Sequence, residues 1–403
     1  MRIAFLTYEY PPRTEAGGIG TYVESAASLF LEAGHKVVVF CPAPKEETGL
    51  REGIPELYLI HCSSDDQFRR LLPAAIDEYE QQSHIDVIEA PEYQFLHGYI
   101  APSSLRGRLV VRLHTPLRLA LILNGYYSRP VLFQSVLRLL LRGNIRAAIR
   151  KLRSYRPLSD AEYRSALQAD LLLSPSKSLL GKLSKIGWKP IAQKAKILPN
   201  PLILDNRLLS LRPPQALDDG WITFLGRIEK RKGVFTLSQA IKMFALCNPG
   251  YSFRFIGADL VDHDGNSNTK QLLFLLSGIP ARIEFTGKVG HSELVKCLAD
   301  ASVCILPSIW ENFPYACMEA MSAARPVIAS QAGGMSEMIE ANVSGLLVNP
   351  NRPSQICSYL THLSNNRSLL AYLGDNARSR IVNRYSTAAL REQYVRLYSS
   401  LAS

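Results

Sequence analysis

Hydrophobic runs long enough to span a bilayer are missing from these 403 residues, which argues against an ordinary transmembrane helix. The opening apolar run, Met1 to Glu9, is too short for a secretory signal. Cysteine is sparse and unpatterned: seven residues, an odd number, with no C-x-x-C. That speaks against a disulfide framework and against a zinc site. The thiols at 41, 62, 247, 297, 304, 317 and 357 are expected as buried small hydrophobes in a reducing, cytoplasmic compartment. Repeats and low-complexity tracts are absent too. No clustered ligands for Mg²⁺ or Mn²⁺ are read from the chain, so neither a metal nor a cofactor is expected.

What is present describes a globular protein, 47% hydrophobic and 20% charged, with length for two domains of ordinary size. The net charge of +11 suggests nucleic acid until it is located. From Leu117 to Pro157 there are nine Arg or Lys and no acid; without them the basic residues nearly match the 35 acidic ones. The basicity is a local patch, and no nucleic-acid partner is expected. Within the patch Arg138, Arg142, Arg146 and Arg150 recur every four residues, and Leu137, Leu140, Leu141, Ile145, Ala148, Ile149 and Leu152 would occupy the other side of a helix. Such a basic amphipathic helix can lie on an anionic membrane surface. A solvated helical hairpin is the alternative.

Arg2 to Tyr8 reads as a first strand, followed by the glycine loop around Gly17-Gly18-Ile19-Gly20, a helix to Gly34 and a second strand, Lys36 to Cys41. This is a Rossmann-like opening. It does not fit an NAD site, because Val23 stands where the third glycine belongs and no acid ends the second strand. Further parallel strands are expected at Asp86–Glu89, Leu109–His114, Asp170–Ser174 and Lys196–Leu198, separated by helices. His114 closes its strand, and ligands of open α/β sheets lie beyond strand ends.

Pro199-Asn200-Pro201 ends this series, and Leu202 to Gly220 reads as a proline-marked linker. A second series begins at Trp221–Leu225 and runs into Gly226-Arg227-Ile228-Glu229-Lys230-Arg231-Lys232-Gly233. Arg227 and Lys232 place two fixed positive charges near a strand end, where they suit an anionic ligand; Lys230 and Arg231 are expected as a solvated basic loop. Strands follow at Ser252–Ile256 and Arg282–Phe285, then Gly287-Lys288-Val289-Gly290, and Val303–Leu306.

The densest stretch runs from Ser308 to Ile339. Pro314 suits the first position of a helix, so Glu311 falls in the entering loop and Glu319 in the second turn. Pro326–Ser330 is a short buried strand, and Gly333-Gly334 opens a tight turn before Met335. A glycine turn between strand and helix presents N–H groups to an anion, while carboxylates accept hydrogen bonds from sugar hydroxyls.

This stretch, with E-x7-E at Glu311 and Glu319 and G-G-x-x-E at Gly333, Gly334 and Glu337, resembles the donor site of family-4 glycosyltransferases with the GT-B fold. The G-R-x4-K-G run and the early Y-P-P…G-G-I-G-x-Y fit the same family, so the resemblance covers nearly the whole chain. It implies an α/β protein of two facing Rossmann-like, doubly wound domains with a cleft between them. The domains expected are 1–204, an acceptor domain joined by 386–403 crossing back, and 205–385, a nucleotide-sugar domain.

The resemblance also implies a retaining, metal-independent glycosyltransferase of the hexosyltransferase type. The donor is a nucleotide-diphosphate sugar, UDP rather than GDP. The acceptor hydroxyl belongs to a glycan or lipid-linked glycan, in a polysaccharide-synthesis setting. By resemblance Glu311 binds donor-sugar hydroxyls and supports an oxocarbenium-like transition state, His114 faces the sugar, and Glu319 holds the ribose. Arg227 and Lys232 hold the diphosphate, which Gly17 and Gly18 also face. Val289 lies by the base, and Gly333, Gly334 and Met335 present backbone groups.

A glycan phosphorylase or a sugar-nucleotide epimerase can share the fold. A non-catalytic, membrane-associated nucleotide-sugar-binding protein is the remaining alternative. The expected location is cytoplasmic, peripheral on the inner membrane face if the basic patch binds lipid.

Overall fold

A computed structural model describes residues 1–11, 17–43, 47, 49–51, 53, 55–93, 106–125, 155–262 and 264–402. The chain forms two compact units, Met1–Pro199 with Arg391–Ser403, and Asn200–Leu390. Glu15 and Ala16 of the glycine loop, and the arginine series Arg138, Arg142, Arg146 and Arg150, lie outside the described residues.

The first unit is built on eight strands: β1 Arg2–Leu6, β2 Lys36–Ala43, β3 Gly49–Arg51, β4 Glu56–His61, β5 Val87–Pro91, β6 Arg108–Arg112, β7 Leu171–Ser174 and β8 Lys196–Ile197. Their order is β3-β4-β2-β1-β5-β6-β7-β8. All neighbours are parallel except β3, which runs antiparallel to β4. The expected strands were those with continuous Val, Ile and Leu, as sheets covered on both faces demand. β3 and β4 were not anticipated. β3 has three residues, two of them exposed, so it carries no apolar signature.

The final helix, Thr387–Ala402, adds its later part to this unit. Tyr398 and Tyr22 both donate their hydroxyls to the buried Glu89. Tyr394 donates to the Pro199 carbonyl at 2.8 Å. Arg112, also fully buried, lies 4.5 Å from the centre of the Tyr22 ring. Burying these charges is tolerable because each has an opposite charge, a ring face or a carbonyl beside it.

The second unit holds six parallel strands in the order β11-β10-β9-β12-β13-β14, namely β9 Trp221–Leu225, β10 Ser252–Ile256, β11 Arg282–Gly287, β12 Ala301–Leu306, β13 Val327–Ser330 and β14 Leu346–Val348. Its core joins Phe224, Phe253, Phe255, Val303, Ile305 and Ile328 to helix residues such as Leu237 and Phe244. Each such side chain contributes about 1.5–3 kcal/mol by leaving water. The stretch Leu202–Gly220, expected as a linker, is packed into this unit instead. Leu202, Leu208, Ala216 and Leu217 are buried, and Leu202 exchanges backbone hydrogen bonds with Tyr385 and Thr387.

Arg325 explains how the run before β13 is held. Its guanidinium donates to the carbonyls of Ala323 and Ala301, each at 2.8 Å, and to that of Arg212. The preceding Ala324 takes a positive φ of 51° and ends the helix Tyr315–Ser322. Pro326 then starts extended chain, which also restrains the residue before it.

Among the described residues no helix is long and apolar enough to cross a membrane. The cysteines divide more than expected. Cys41, Cys297, Cys304 and Cys317 are buried, Cys62 and Cys357 are partly covered, and Cys247 is exposed because it ends its helix on the outer face.

Candidate active site

Parallel strands gather their carboxyl ends at one edge of a sheet, so loops distant in sequence meet there. In the second unit the loop after β9 carries Arg227 to Lys232, that after β11 carries Val289, that after β12 carries Glu311, and that after β13 carries Gly333-Gly334.

After β9, residues Lys230–Lys232 make a 3₁₀ turn ended by Gly233 at φ +76°. A Cβ at Gly233 would run into the Pro307 carbonyl, so the turn can approach the β12 loop only with glycine there. The Arg231 carbonyl accepts the Ile309 N–H at 2.8 Å. The side chains continue the seam. Glu311 Oε1 receives Arg231 Nη1 at 2.5 Å and Lys232 Nζ at 2.7 Å. Arg231 Nη2 reaches Glu229 Oε1 at 2.8 Å, and the more exposed Arg227 reaches the same oxygen at 3.2 Å.

Arg231 was expected in solvent, yet its side chain is 12% exposed, as is that of Glu311. Two buried carboxylates draw it inward, a reason invisible in a run of basic residues. Burial alone would raise the Glu311 carboxyl, but Lys232 and Arg231 outweigh it and hold the group below the usual range. Glu311 is therefore an ionised carboxylate.

The glycine turn packs against the same loop. Gly333 has φ +102°, and Cβ atoms at Gly333 and Gly334 would collide with the backbone carbonyls of Glu311 and Asn312. Gly334 N–H donates to the Glu311 carbonyl at 2.8 Å. This corrects one expectation: that N–H is spent on the loop and is not offered to a ligand. Met335 begins the helix Met335–Met338, and its N–H has no hydrogen bond among the described residues.

Pro314 stands one position earlier than expected. It is the extended residue before the helix Tyr315–Ser322, because Tyr315 is the first residue to close a helical turn. Glu319 is partly buried on this helix. Burial raises its carboxyl, opposed by His291. His291 begins the helix after Val289 and is held by Asp205 at 2.7 Å. Asp205 is lowered to about 2 by Arg207 first and by His291 as well. Neither His291 nor Asp205 was expected, since a lone His and a lone Asp far apart in sequence carry no signal.

The chain was expected to lack a D-x-D spacing, yet one occurs at Asp262 and Asp264. The Asp262 carboxylate is committed to its own loop, accepting N–H groups of Asp264 and Asn266 and the Gln271 amide. Among the described residues no three His, Cys, Asp or Glu side chains converge to hold a metal.

In the first unit Gly17 caps the helix Gly18–Glu32, and its N–H donates to Glu9 Oε2 at 2.6 Å. A Cβ there would stand 2.7 Å from that carboxylate, whereas at Gly18 it would meet nothing. His114 follows β6, and its backbone N–H donates to Glu92 Oε2 at 2.7 Å. Burial, then Arg112, depresses the imidazole to about 3, so it stays neutral. Its ring lies edge-on to Tyr22 at 5.4 Å. Glu92, fully buried, is pushed up to about 8 chiefly by burial and stays protonated at neutral pH.

Two Rossmann-type sheets, each with a glycine turn and polar side chains at its strand ends, define an α/β protein of two units. The model for Glycosyltransferase Family 4 matches residues 16–206, and that for Glycosyl transferases group 1 matches 212–380. The chain is 26% identical to an MMP α-(1→4)-mannosyltransferase of Mycolicibacterium hassiacum, across 99% of this chain and 98% of that protein. Sucrose-phosphate synthase from Thermosynechococcus elongatus superposes with a TM-score of 0.71 at 19% identity, covering 99% of this chain and 98% of that one. The Anabaena protein HepE, in complex with UDP and glucose, gives 0.66 at 19% identity over all of both chains. The chain belongs to glycosyltransferase family 4 and has the GT-B fold. It is a glycosyltransferase.

Proposed function

We propose that the enzyme transfers a hexose from a UDP-sugar to a hydroxyl of a glycan or lipid-linked glycan, with retention and without a metal. The observation that carries this is the ionised Glu311 held by Arg231 and Lys232 at the strand ends, beside a glycine turn that leaves the Met335 N–H free of partners among the described residues. UDP is favoured because a full-length structural neighbour binds UDP and glucose.

In this reading Glu311 accepts hydroxyls of the donor sugar and supports positive charge developing at its anomeric carbon. Lys232 and Arg227 neutralise the leaving diphosphate, and Met335 N–H adds a donor. Gly18, where a side chain would have met open space, faces the diphosphate beside Gly17. Val289 lies against the base and Glu319 against the ribose. His114, neutral, serves as a hydrogen-bonding group for the sugar and not as a general acid. The acceptor attacks from the leaving-group face, and a phosphate oxygen takes its proton.

A thermal-shift screen of UDP, GDP, ADP and their sugars tests the assignment. A ligand at about 100 times its Kd stabilises the native state by about 2.7 kcal/mol, so UDP should raise the unfolding midpoint clearly. No rise with any nucleotide would overturn the reading. EDTA should leave turnover within about twofold, since fixed cations occupy the place of a metal; abolition by EDTA and rescue by Mn²⁺ would overturn that part.

We further propose a cytoplasmic enzyme docked peripherally on the inner membrane face through the basic segment. The location rests on the cysteine usage and the docking on the arginine spacing.

A further inference from the structure

Lys232 and Glu311 are assigned to different parts of the donor, yet here they hold each other, Nζ to Oε1 at 2.7 Å. Arg231 binds the same oxygen at 2.5 Å. The two cations differ in what else restrains them. Arg231 is tied by Glu229 at 2.8 Å and contacts the Trp310 carbonyl at 3.4 Å, and its own carbonyl accepts from Ile309. Arg227 touches Glu229 as well, so among the described residues Arg231, Lys232, Glu229 and Arg227 form the ion-paired network that includes Glu311. Lys232 shows no other ion pair among the described residues. It has a flexible stem and a point charge, suited to changing partners, where a planar guanidinium bridging two carboxylates is not.

We infer that the Lys232–Glu311 pair is a latch that an incoming diphosphate opens, and that Arg231 is the positioning residue that permits the opening. The inference rests on the reading of Lys232 as a diphosphate ligand. A carboxylate this covered strongly resists losing its last cation. With Arg231 in place Glu311 keeps a partner when Lys232 swings to the phosphates, and it stays aimed for the sugar. Without Arg231 the carboxylate would retain Lys232, and the diphosphate would compete for it at a disadvantage. The latch also favours ligands with enough phosphate charge to displace a carboxylate, which a nucleoside or monophosphate lacks.

Calorimetric titration with UDP, or with GDP or ADP if the wild type prefers one of them, tests this on the intact enzyme. Glu311→Gln removes the competitor for Lys232 and should tighten UDP binding about threefold or more. Arg231→Gln should weaken it by about tenfold, and Arg231→Lys should recover much of that. The double variant Glu311→Gln/Arg231→Gln should bind UDP at least as tightly as wild type, since no carboxylate is left to hold the lysine. Uridine affinity should stay constant throughout. A residue that only supported the fold would weaken uridine and UDP together, and the double variant would be worse than either single one. Failure of Glu311→Gln to tighten UDP, or of the double variant to recover, would overturn the latch alone. A wild type that binds no nucleoside diphosphate would overturn the site reading, and the latch with it.

Discussion

Glu311 carries the reaction in this account, and its environment makes the test clean. The carboxylate is fixed by two cations and its backbone by the glycine turn, so Glu311→Gln should keep the fold. It should lower turnover by about 100-fold, the scale of one lost transition-state interaction, measured with the donor that the nucleotide screen selects. Glu319→Ala should mainly raise the donor KM. Lys232→Ala should weaken UDP far more than uridine. Glu92 offers a different test, because burial holds its carboxyl at about 8. A carboxyl raised in the native state favours folding while it is protonated. Between the ordinary value of 4.5 and 8 the unfolded chain releases this proton and the folded chain keeps it, so stability falls with rising pH. Glu92→Gln keeps an acceptor for the His114 N–H and removes that titration. Its melting temperature relative to wild type should climb from pH 5 to pH 8; a difference independent of pH would show that Glu92 is ionised.

At the scale of elements, the site depends on glycines that let loops touch: Gly233 against the β12 loop, and Gly333 and Gly334 against the Glu311 loop. Gly333 is left-handed and its missing Cβ is where the Glu311 carbonyl lies. Gly333→Ala therefore combines backbone strain of about 1–2 kcal/mol with a collision. It should lower the melting temperature by several degrees and abolish UDP binding. Gly287 is also left-handed, at φ +71°, but faces open space. Gly287→Ala should suffer the strain alone and bind UDP with less than about threefold loss. Equal effects of the two substitutions in calorimetry would mean that the contact with Glu311 is not what the turn requires.

For the whole molecule, the local basic segment separates the membrane proposal from the enzyme assignment. Arg138, Arg142, Arg146 and Arg150 would each add about 1 kcal/mol near an anionic surface. Co-sedimentation with vesicles should need anionic lipid, fall with salt, and disappear when all four become glutamine. Equal recovery in the supernatant with neutral and anionic vesicles at low salt would remove the membrane docking and leave the transferase unaffected.

The sequence by itself determined what local patterns can encode. Short runs rich in aromatic and β-branched residues, W-I-T-F-L and S-F-R-F-I, marked β9 and β10 to the residue, and the spacing of glycines, arginine, lysine and carboxylates marked the family. Glu311 and Lys232 could be named because their motifs are contiguous. Tertiary structure decided which groups meet. Arg231 looked like a solvated neighbour of Lys230 until packing put Glu229 and Glu311 beside it. Gly334 looked like an open donor until the β12 loop took its N–H. Glu92, Arg112 and Asp205 gave no sign, since a single charged residue in a sequence does not reveal whether the fold will bury it. The physical reason is that desolvation and pairing depend on neighbours supplied by other strands, and parallel strands bring those neighbours together from far along the chain.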